Sequence, residues 1–306
     1  MSTRLGIIGT GMLGSAVAKR LLNSGYKITV YNRTIKKAEP LAALGAAISQ
    51  SPKDLAKSCE LVITMLKDAS AVKEVSFGKD GIIEGYHDGL TVADMSTISP
   101  QDSISIAKRF QENKIDMLEI PVMGGPPVAE TGQLLMMIAG KKELYEKYKN
   151  IFECIAQKSF YLGQSGTALA IKLAMNLQIS MTALALSEGI TLTRGAGLDP
   201  KLFLEILNSS DYKTRQSEKK GPKMIKGDFG ATFTIKNMQK DLDIINEAAK
   251  AFNLSLPMVA LADKLYQDAS KGGFAELDYS GILAYIEKTS KQTSPDDLSK
   301  GVKLDH

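Results

Sequence analysis

Residues 5–23 read LGIIGTGMLGSAVAKRLLN, and the architecture of the chain can be worked out from this stretch. Leu5 to Ile8 is a short branched-aliphatic run that reads as a buried strand, and Met12 to Asn23 has the apolar period of a helix. Between them GTGMLG sets Gly9, Gly11 and Gly14 at the spacing of a dinucleotide fingerprint: the first glycine turns, the second admits a pyrophosphate, and the third lets helix and strand touch. The helix amino terminus then faces the anion, which makes Gly9, Thr10, Gly11, Met12, Leu13 and Gly14 cofactor-binding candidates. A tight strand-to-helix turn without a ligand gives the same spacing. Its place directly after the first strand, with a β-α-β pattern following, favours the nucleotide.

Outward from there, the end of the second strand reads Tyr31, Asn32, Arg33, Thr34, and lacks the acid that usually binds the ribose hydroxyls of NAD. A carboxylate would repel a 2′-phosphate, whereas Arg33 offers charged donors and Asn32 and Thr34 neutral ones, so NADP (NADPH) is favoured. The alternative is a solvated Arg33 beside a helix-capping Thr34. Further strands are predicted at Lys27 to Tyr31, Leu61 to Met65, Thr91 to Asp94, Ile115 to Ile120, Leu134 to Ala139 and Phe160 to Leu162, with helices at Pro52 to Ala56 and Pro100 to Gln111. Met65 and Leu66, after the third strand, join the cofactor-binding set.

After LGQSGT, residues 162–167, the strand signal stops and alanine-, leucine- and lysine-rich helix takes over, which places a boundary near residue 165. The fold class is therefore α/β: a Rossmann-type doubly wound domain over 1–164, then an all-helical domain over 165–290 for substrate and oligomerisation. A mobile polar tail is expected over 291–306. The helix from about Thr167 to Arg194 would run about 40 Å and form the spine of the second domain. Leu169 to Leu192 is apolar, but Lys172, Asn176 and Glu188 within it argue for a buried helix of a soluble protein and against a membrane span. Helices are also expected at Pro200 to Leu207, Ile235 to Phe252 and Pro257 to Ser270.

Composition agrees. A chain of 306 residues with 44% hydrophobic and 24% charged residues suits two soluble globular domains and excludes disordered or collagen-like classes. A net charge of +4 is too small for a nucleic-acid surface but compatible with a small anion. Cys59 and Cys154 lie far apart, which argues against a disulfide framework or a thiolate zinc site and for the reducing cytoplasm. No signal peptide and no metal site are expected. His87 sits in a loop-like stretch and His306 ends the chain, so proton transfer falls to another residue type.

Three separated clusters bear on chemistry. DMST, Asp94 to Thr97, follows a strand where ligands meet parallel sheets. PVMGG, Pro121 to Gly125, offers backbone amides as a cradle for a substrate carboxylate. A polar strand end and a glycine turn are the plainer readings of the two. In IKLAMNL, Lys172 and Asn176 lie four residues apart and so share a helix face. Apolar flanks disfavour a charged lysine and suit proton exchange near neutrality, although a lysine stem covering the core explains the same spacing.

Taken together, GTGMLG, YNRT, DMST, PVMGG with AETGQL, SFYLGQ, IKLAMN and IKNMQKDL make the chain, over roughly residues 4 to 288, resemble the β-hydroxyacid dehydrogenases. Its motifs are most similar to those of the glyoxylate/succinic semialdehyde reductases. The resemblance implies an NADP-binding domain, a helical domain around a long interdomain helix, a cleft active site, and a homodimer or homotetramer. It implies Lys172 as catalytic lysine with Asn176 as its partner, Thr97 near nicotinamide and substrate, Lys240 on the cofactor, and Phe233 and Asp241 closing the substrate pocket. One departure stands out: the family's PVSGG or PVSGS serine is Met123 here. A substrate carboxylate would then rely on the amides of Met123, Gly124 and Gly125 with Ser96 or Thr97. The expected reaction interconverts a small semialdehyde or glyoxylate and its hydroxy acid, with Lys172 as general acid and base. Imine reduction and a non-catalytic NADP-binding oligomeric module are the rivals; relatives of both kinds generally lack the lysine.

Overall fold

The structure, a computed structural model, describes residues 3–292. In the first unit the elements are β1 (Leu5–Ile8), α1 (Met12–Asn23), β2 (Ile28–Tyr31), α2 (Glu39–Ala42), β3 (Ala47–Ile48), α3 (Pro52–Ser58), β4 (Leu61–Thr64) and α4 (Ala69–Phe77). They continue with β5 (Thr91–Asp94), α5 (Pro100–Glu112), β6 (Asp116–Glu119), β7 (Val122–Met123), α6 (Pro126–Glu130), β8 (Leu134–Ile138), α7 (Lys142–Ile155) and β9 (Ala156–Tyr161). β1, β4 and β5 are buried along their whole length, as strands covered on both faces by helices must be. One core gathers Val17 and Leu21 of α1 with Phe152 and Ile155 of α7, and another gathers Leu55 of α3 with Ile106 and Phe110 of α5.

Six strands pair in parallel in the order β3-β2-β1-β4-β5-β6, the doubly wound order of dinucleotide-binding folds. Their register aligns the strand ends: Tyr31 is level with Ile8, Ile8 with Thr64, Thr64 with Asp94, and Asp94 with Glu119. Every residue expected to meet the nucleotide or substrate in this unit before Pro121 therefore follows one edge. A smaller sheet, β7-β8-β9, adjoins it through a bridge between Glu119 and Ala139.

The two-residue strands β3 and β7 give too short a pattern to read. β9 begins at Ala156, ahead of the predicted Phe160, because most of its side chains are exposed and show no apolar alternation. Serines open α3 and α5 as expected of helix caps: Ser51 accepts from the Asp54 amide and Ser99 from the Asp102 amide, each followed by proline.

The second unit is built from α8 (Thr167–Gly195), α9 (Pro200–Ser209), α10 (Arg215–Lys219), α11 (Gly221–Lys226), α12 (Ile235–Ala251), α13 (Pro257–Ala269) and α14 (Ile282–Gln292). Leu186 and Ile190 of α8 pack there with Leu204, Met224 and Leu283. The fold changes character near residue 165, yet the contacts divide between Ala174 and Met175, inside α8. The physical reason is that Ala168 and Leu169 belong to apolar clusters of the first unit. Beyond Gln292 the polar tail lies outside the described residues.

The expectation of a buried α8 needs correction. Leu169, Leu173, Asn176, Ser180, Ala183, Ser187 and Ile190 form a buried stripe at helical spacing, while Ile171, Met175 and Leu192 are exposed. An all-round apolar sequence finds packing partners in this chain along one stripe only. Among the described residues, α8 is the one helix long and apolar enough to cross a membrane by length and composition.

Candidate active site

The fingerprint loop shows why each glycine is there. Gly9 has a φ of +100°, and a Cβ on it would come 2.2 Å from the Met65 carbonyl oxygen; a Cβ on Gly14 would come 1.9 Å from that of Gly9. At Gly11 a Cβ would meet nothing within 4 Å, so this glycine leaves open space in front of α1. No side chain caps α1 and no acid lies in its first turn, which leaves its positive end for an anion. The Thr10 hydroxyl is buried without a hydrogen-bond partner, a polar atom awaiting an acceptor or donor. These features fit the pyrophosphate of a nicotinamide dinucleotide.

Asn32 braces the loop: its Oδ1 accepts from the Thr10 amide at 3.1 Å and one Nδ2 hydrogen goes to the Thr34 carbonyl at 3.0 Å, while the second Nδ2 hydrogen is not used by that bond. Thr34 does not cap the short turn after it. Arg33 is exposed and makes no hydrogen bond or ion pair with any described residue.

At the strand ends, the buried Asp94 carboxylate (2% exposed) accepts from Thr64 Oγ1 at 2.6 Å, Ser96 Oγ at 2.6 Å and the Ser96 amide at 3.2 Å. Burial pushes this carboxyl up to about 6 against the pull of those donors. Ser96 is the second correction: its one hydroxyl hydrogen goes to Asp94, and its oxygen accepts from the Leu66 amide at 2.9 Å. It ties loops together and has no donor left for a substrate. One strand over, Glu119 (1% exposed) accepts from Ser103 Oγ at 2.7 Å and from the Gly166 amide. Its carboxyl is also raised, by burial and by the Asp94 charge.

The PVMGG loop lies beside the helix-borne lysine. Lys172, half-buried on α8, points Nζ at Met123 Sδ, 3.3 Å away. The Met137 amide donates to the Pro121 carbonyl, so alternation along the antiparallel ladder puts Met123 and its partner Leu135 in a hydrogen-bonded pair. The Met123 amide is thus spent in the sheet, the third correction. The amides of Gly124 and Gly125 enter no backbone hydrogen bond among the described residues.

In the second unit Asn176 (3% exposed) donates through Nδ2 to Asp241 Oδ2 at 2.6 Å, and Lys240 Nζ lies 2.7 Å from Asp241 Oδ1 as an ion pair. Asp241, 1% exposed, thus meets both Asn176 and Lys240 with its carboxylate. Phe233 stands edge-on to Tyr279 with centroids 6.0 Å apart, and its carbonyl accepts from the Tyr279 amide. The structure therefore gathers Lys172 with Met123 in one unit and Asn176 with Asp241 and Lys240 in the other. His87, as expected, is a loop residue, its Nε2 2.8 Å from the Cys59 carbonyl.

Thr64, Ser103, Glu119 and Gly166 escaped the sequence reading, as did the part played by Asp94. The signal was present in DMLE and TVAD, where apolar strands end on an acid.

The model for the NAD binding domain of 6-phosphogluconate dehydrogenase matches residues 4–163. That for the NAD-binding region of NADP-dependent 3-hydroxyisobutyrate dehydrogenase matches residues 166–286. The chain is 35% identical over 283 residues to the chloroplastic glyoxylate/succinic semialdehyde reductase 2 of Arabidopsis thaliana, covering 92% of this chain and 79% of that protein. Among solved structures, the Mycobacterium tuberculosis 3-hydroxyisobutyrate dehydrogenase with L-serine is similar at a TM-score of 0.84 and 22% identity, over 94% of this chain and 99% of that one. Psf3 in complex with NADP+ and 2-OPP is similar at 0.85 and 24%, over 92% and 99%. The two structural likenesses bear on the fold.

Proposed function

Because the chain belongs to the β-hydroxyacid dehydrogenase family of NAD(P)-dependent oxidoreductases, we propose that it reduces a small semialdehyde or glyoxylate to the hydroxy acid with NADPH, using Lys172 as general acid. The observation that carries the reading is Lys172 Nζ held 3.3 Å from Met123 Sδ, against the PVMGG loop. A thioether is a weak acceptor, so a carbonyl oxygen brought to the same place would be the stronger partner for the amine.

A bound NADPH supplies hydride to the carbonyl carbon. The loop from Gly9 to Gly14, with the Thr10 hydroxyl and the first amides of α1, would hold the pyrophosphate, and Arg33 would take the 2′-phosphate. Lys172 donates its proton to the carbonyl oxygen as negative charge builds there, and the neutral amine takes a proton back in the oxidative direction. Asn176, held by Asp241, orients the lysine or substrate, and Lys240 contacts the cofactor. The Gly124 and Gly125 amides with Thr97 receive the carboxylate, a smaller set than the sequence implied. Substrate identity rests on the Arabidopsis relative, which is named for glyoxylate and succinic semialdehyde. The working assembly is a homodimer or homotetramer in the cytoplasm.

The test is oxidation of NADPH followed spectrophotometrically with glyoxylate, malonic semialdehyde, succinic semialdehyde and a cyclic imine. Turnover with an aldehyde and none with the imine is expected; the reverse would replace this reading with imine reduction. Lys172→Ala should lower turnover on the order of 10²-fold or more while NADPH still binds. Near-normal turnover would remove the lysine from the mechanism.

A further inference from the structure

Two buried carboxylates sit side by side at the edge of the main sheet, and the mechanism uses neither. Asp94 and Glu119 are register partners on adjacent parallel strands, so their side chains leave the same face with the strands about 4.8 Å apart. Burying one carboxylate is costly, and a second beside it raises the cost. Residues kept there must hold something that apolar side chains cannot.

What Asp94 holds is the staple already described, from Thr64 through Ser96 to the Leu66 amide. Glu119 reaches a different element. The Gly166 carbonyl accepts the first helical bond of α8, from the Ala170 amide at 3.0 Å, which makes Gly166 the residue that opens the helix. Such a position normally carries a serine, threonine, aspartate or asparagine whose side chain caps the first amides. Gly166 has no side chain, has a φ of +94°, and a Cβ there would come 2.9 Å from Ile104 Cδ1. The capping carboxylate comes instead from the neighbouring strand: Glu119 Oε1 takes the Gly166 amide, the Leu169 amide also draws on the group, and Ser103 Oγ fixes its orientation. Its Oε2 has no hydrogen-bond partner. Lys172 lies on the second turn of the same helix, about 9 Å along the axis from Gly166.

We propose that Glu119 is a positioning residue for Lys172, capping the helix across the sheet edge and so fixing the turn that presents the amine. The proposal rests on the reading of Lys172 as proton donor. The helix itself carries the effect: a rigid rod pinned at its first amides sets the depth of a side chain on its second turn. A negative group at a helix amino terminus also opposes the macrodipole favourably, so charge and geometry act together.

The full-length protein carrying Glu119→Ala or Glu119→Gln tests this. Amide hydrogen exchange without cofactor should be faster over residues 167–170 in Glu119→Ala, on the order of tenfold, with the remaining strands protected as before. Turnover per folded molecule should fall on the order of tenfold, while the NADPH dissociation constant, from fluorescence titration, stays within about twofold. Glu119→Gln keeps an acceptor oxygen and should recover most of both losses. Unchanged exchange over 167–170, or turnover per folded molecule equal to the parent's, overturns the proposal, as does a glutamine variant no better than alanine. If Lys172→Ala kept its turnover, the catalytic reading would fail while the exchange result still reported the cap.

Discussion

On the proposed function, specificity turns on Met123 and Arg33. The thioether of Met123 stands against the Lys172 amine where the family pattern has a serine hydroxyl, and its own amide is committed to β8. Met123→Ser should therefore restore a donor for a substrate carboxylate and lower the KM for a carboxylate-bearing aldehyde several-fold, about 1 kcal/mol for one hydrogen bond; an unchanged or higher KM would show that this position does not face the carboxylate. Arg33, exposed and without a partner among the described residues, is placed to meet a phosphate at no cost in broken bonds. Arg33→Ala should raise the KM for NADPH about tenfold and leave that for NADH nearly unchanged. Equal changes for both cofactors would count against the NADP preference. Candidate roles for Arg33 and Lys172 were open to reading because each is a charged residue with a distinctive neighbourhood in sequence. The bonds made by Asn32, Ser96 and Asp241 were not, since a short polar side chain takes its role from whichever donor or acceptor the fold brings to it.

Among the elements, the pair α12–α13 carries a pH-dependent term of its own. Asp263 on α13 faces Asp243 and Asn246 on α12; burial first, and then the Asp243 charge, raise its carboxyl to about 6 from 3.8. The folded protein thus holds a proton that the unfolded chain releases between about pH 4 and pH 6. Stability from this group is full below the lower value, falls as pH rises through the window, and stays reduced above it. Asp263→Asn should melt higher than the parent at pH 8, with the advantage shrinking to nothing toward pH 4; an equal difference at both ends would assign it to packing. Asp94, raised for the same first reason, contributes in the same direction. At this scale the long helices and the buried strands β1, β4 and β5 were legible because their periods run over several residues, whereas β3 and β7, two residues each, hold too little pattern to register.

For the whole molecule, a nucleotide bound to the first unit and association through the second should show separately. Saturating NADPH at about 100 times its dissociation constant stabilises the folded state by about 2.7 kcal/mol, read as a rise in melting temperature that Arg33→Ala diminishes. Leu192 (76% exposed), Leu202 and Ile206 leave apolar surface on α8 and α9 of the kind that association covers. Light scattering should give two or four chains, and Leu192→Glu with Ile206→Glu should reduce the assembly; a monomeric parent would end that expectation. From sequence alone came the doubly wound first half, the helical second half, the nucleotide loop and the lysine put forward as proton donor, because glycine spacing, hydrophobic period and the order of motifs are local properties written along the chain. Tertiary structure alone decided that Asp94 and Glu119 stand together, that Ser96 and the Met123 amide are spent on the scaffold, and that α8 is capped from a strand 47 residues away. Parallel register aligns the ends of strands far apart in sequence, and the hydrogen bonds made along that edge determine which polar groups remain for chemistry.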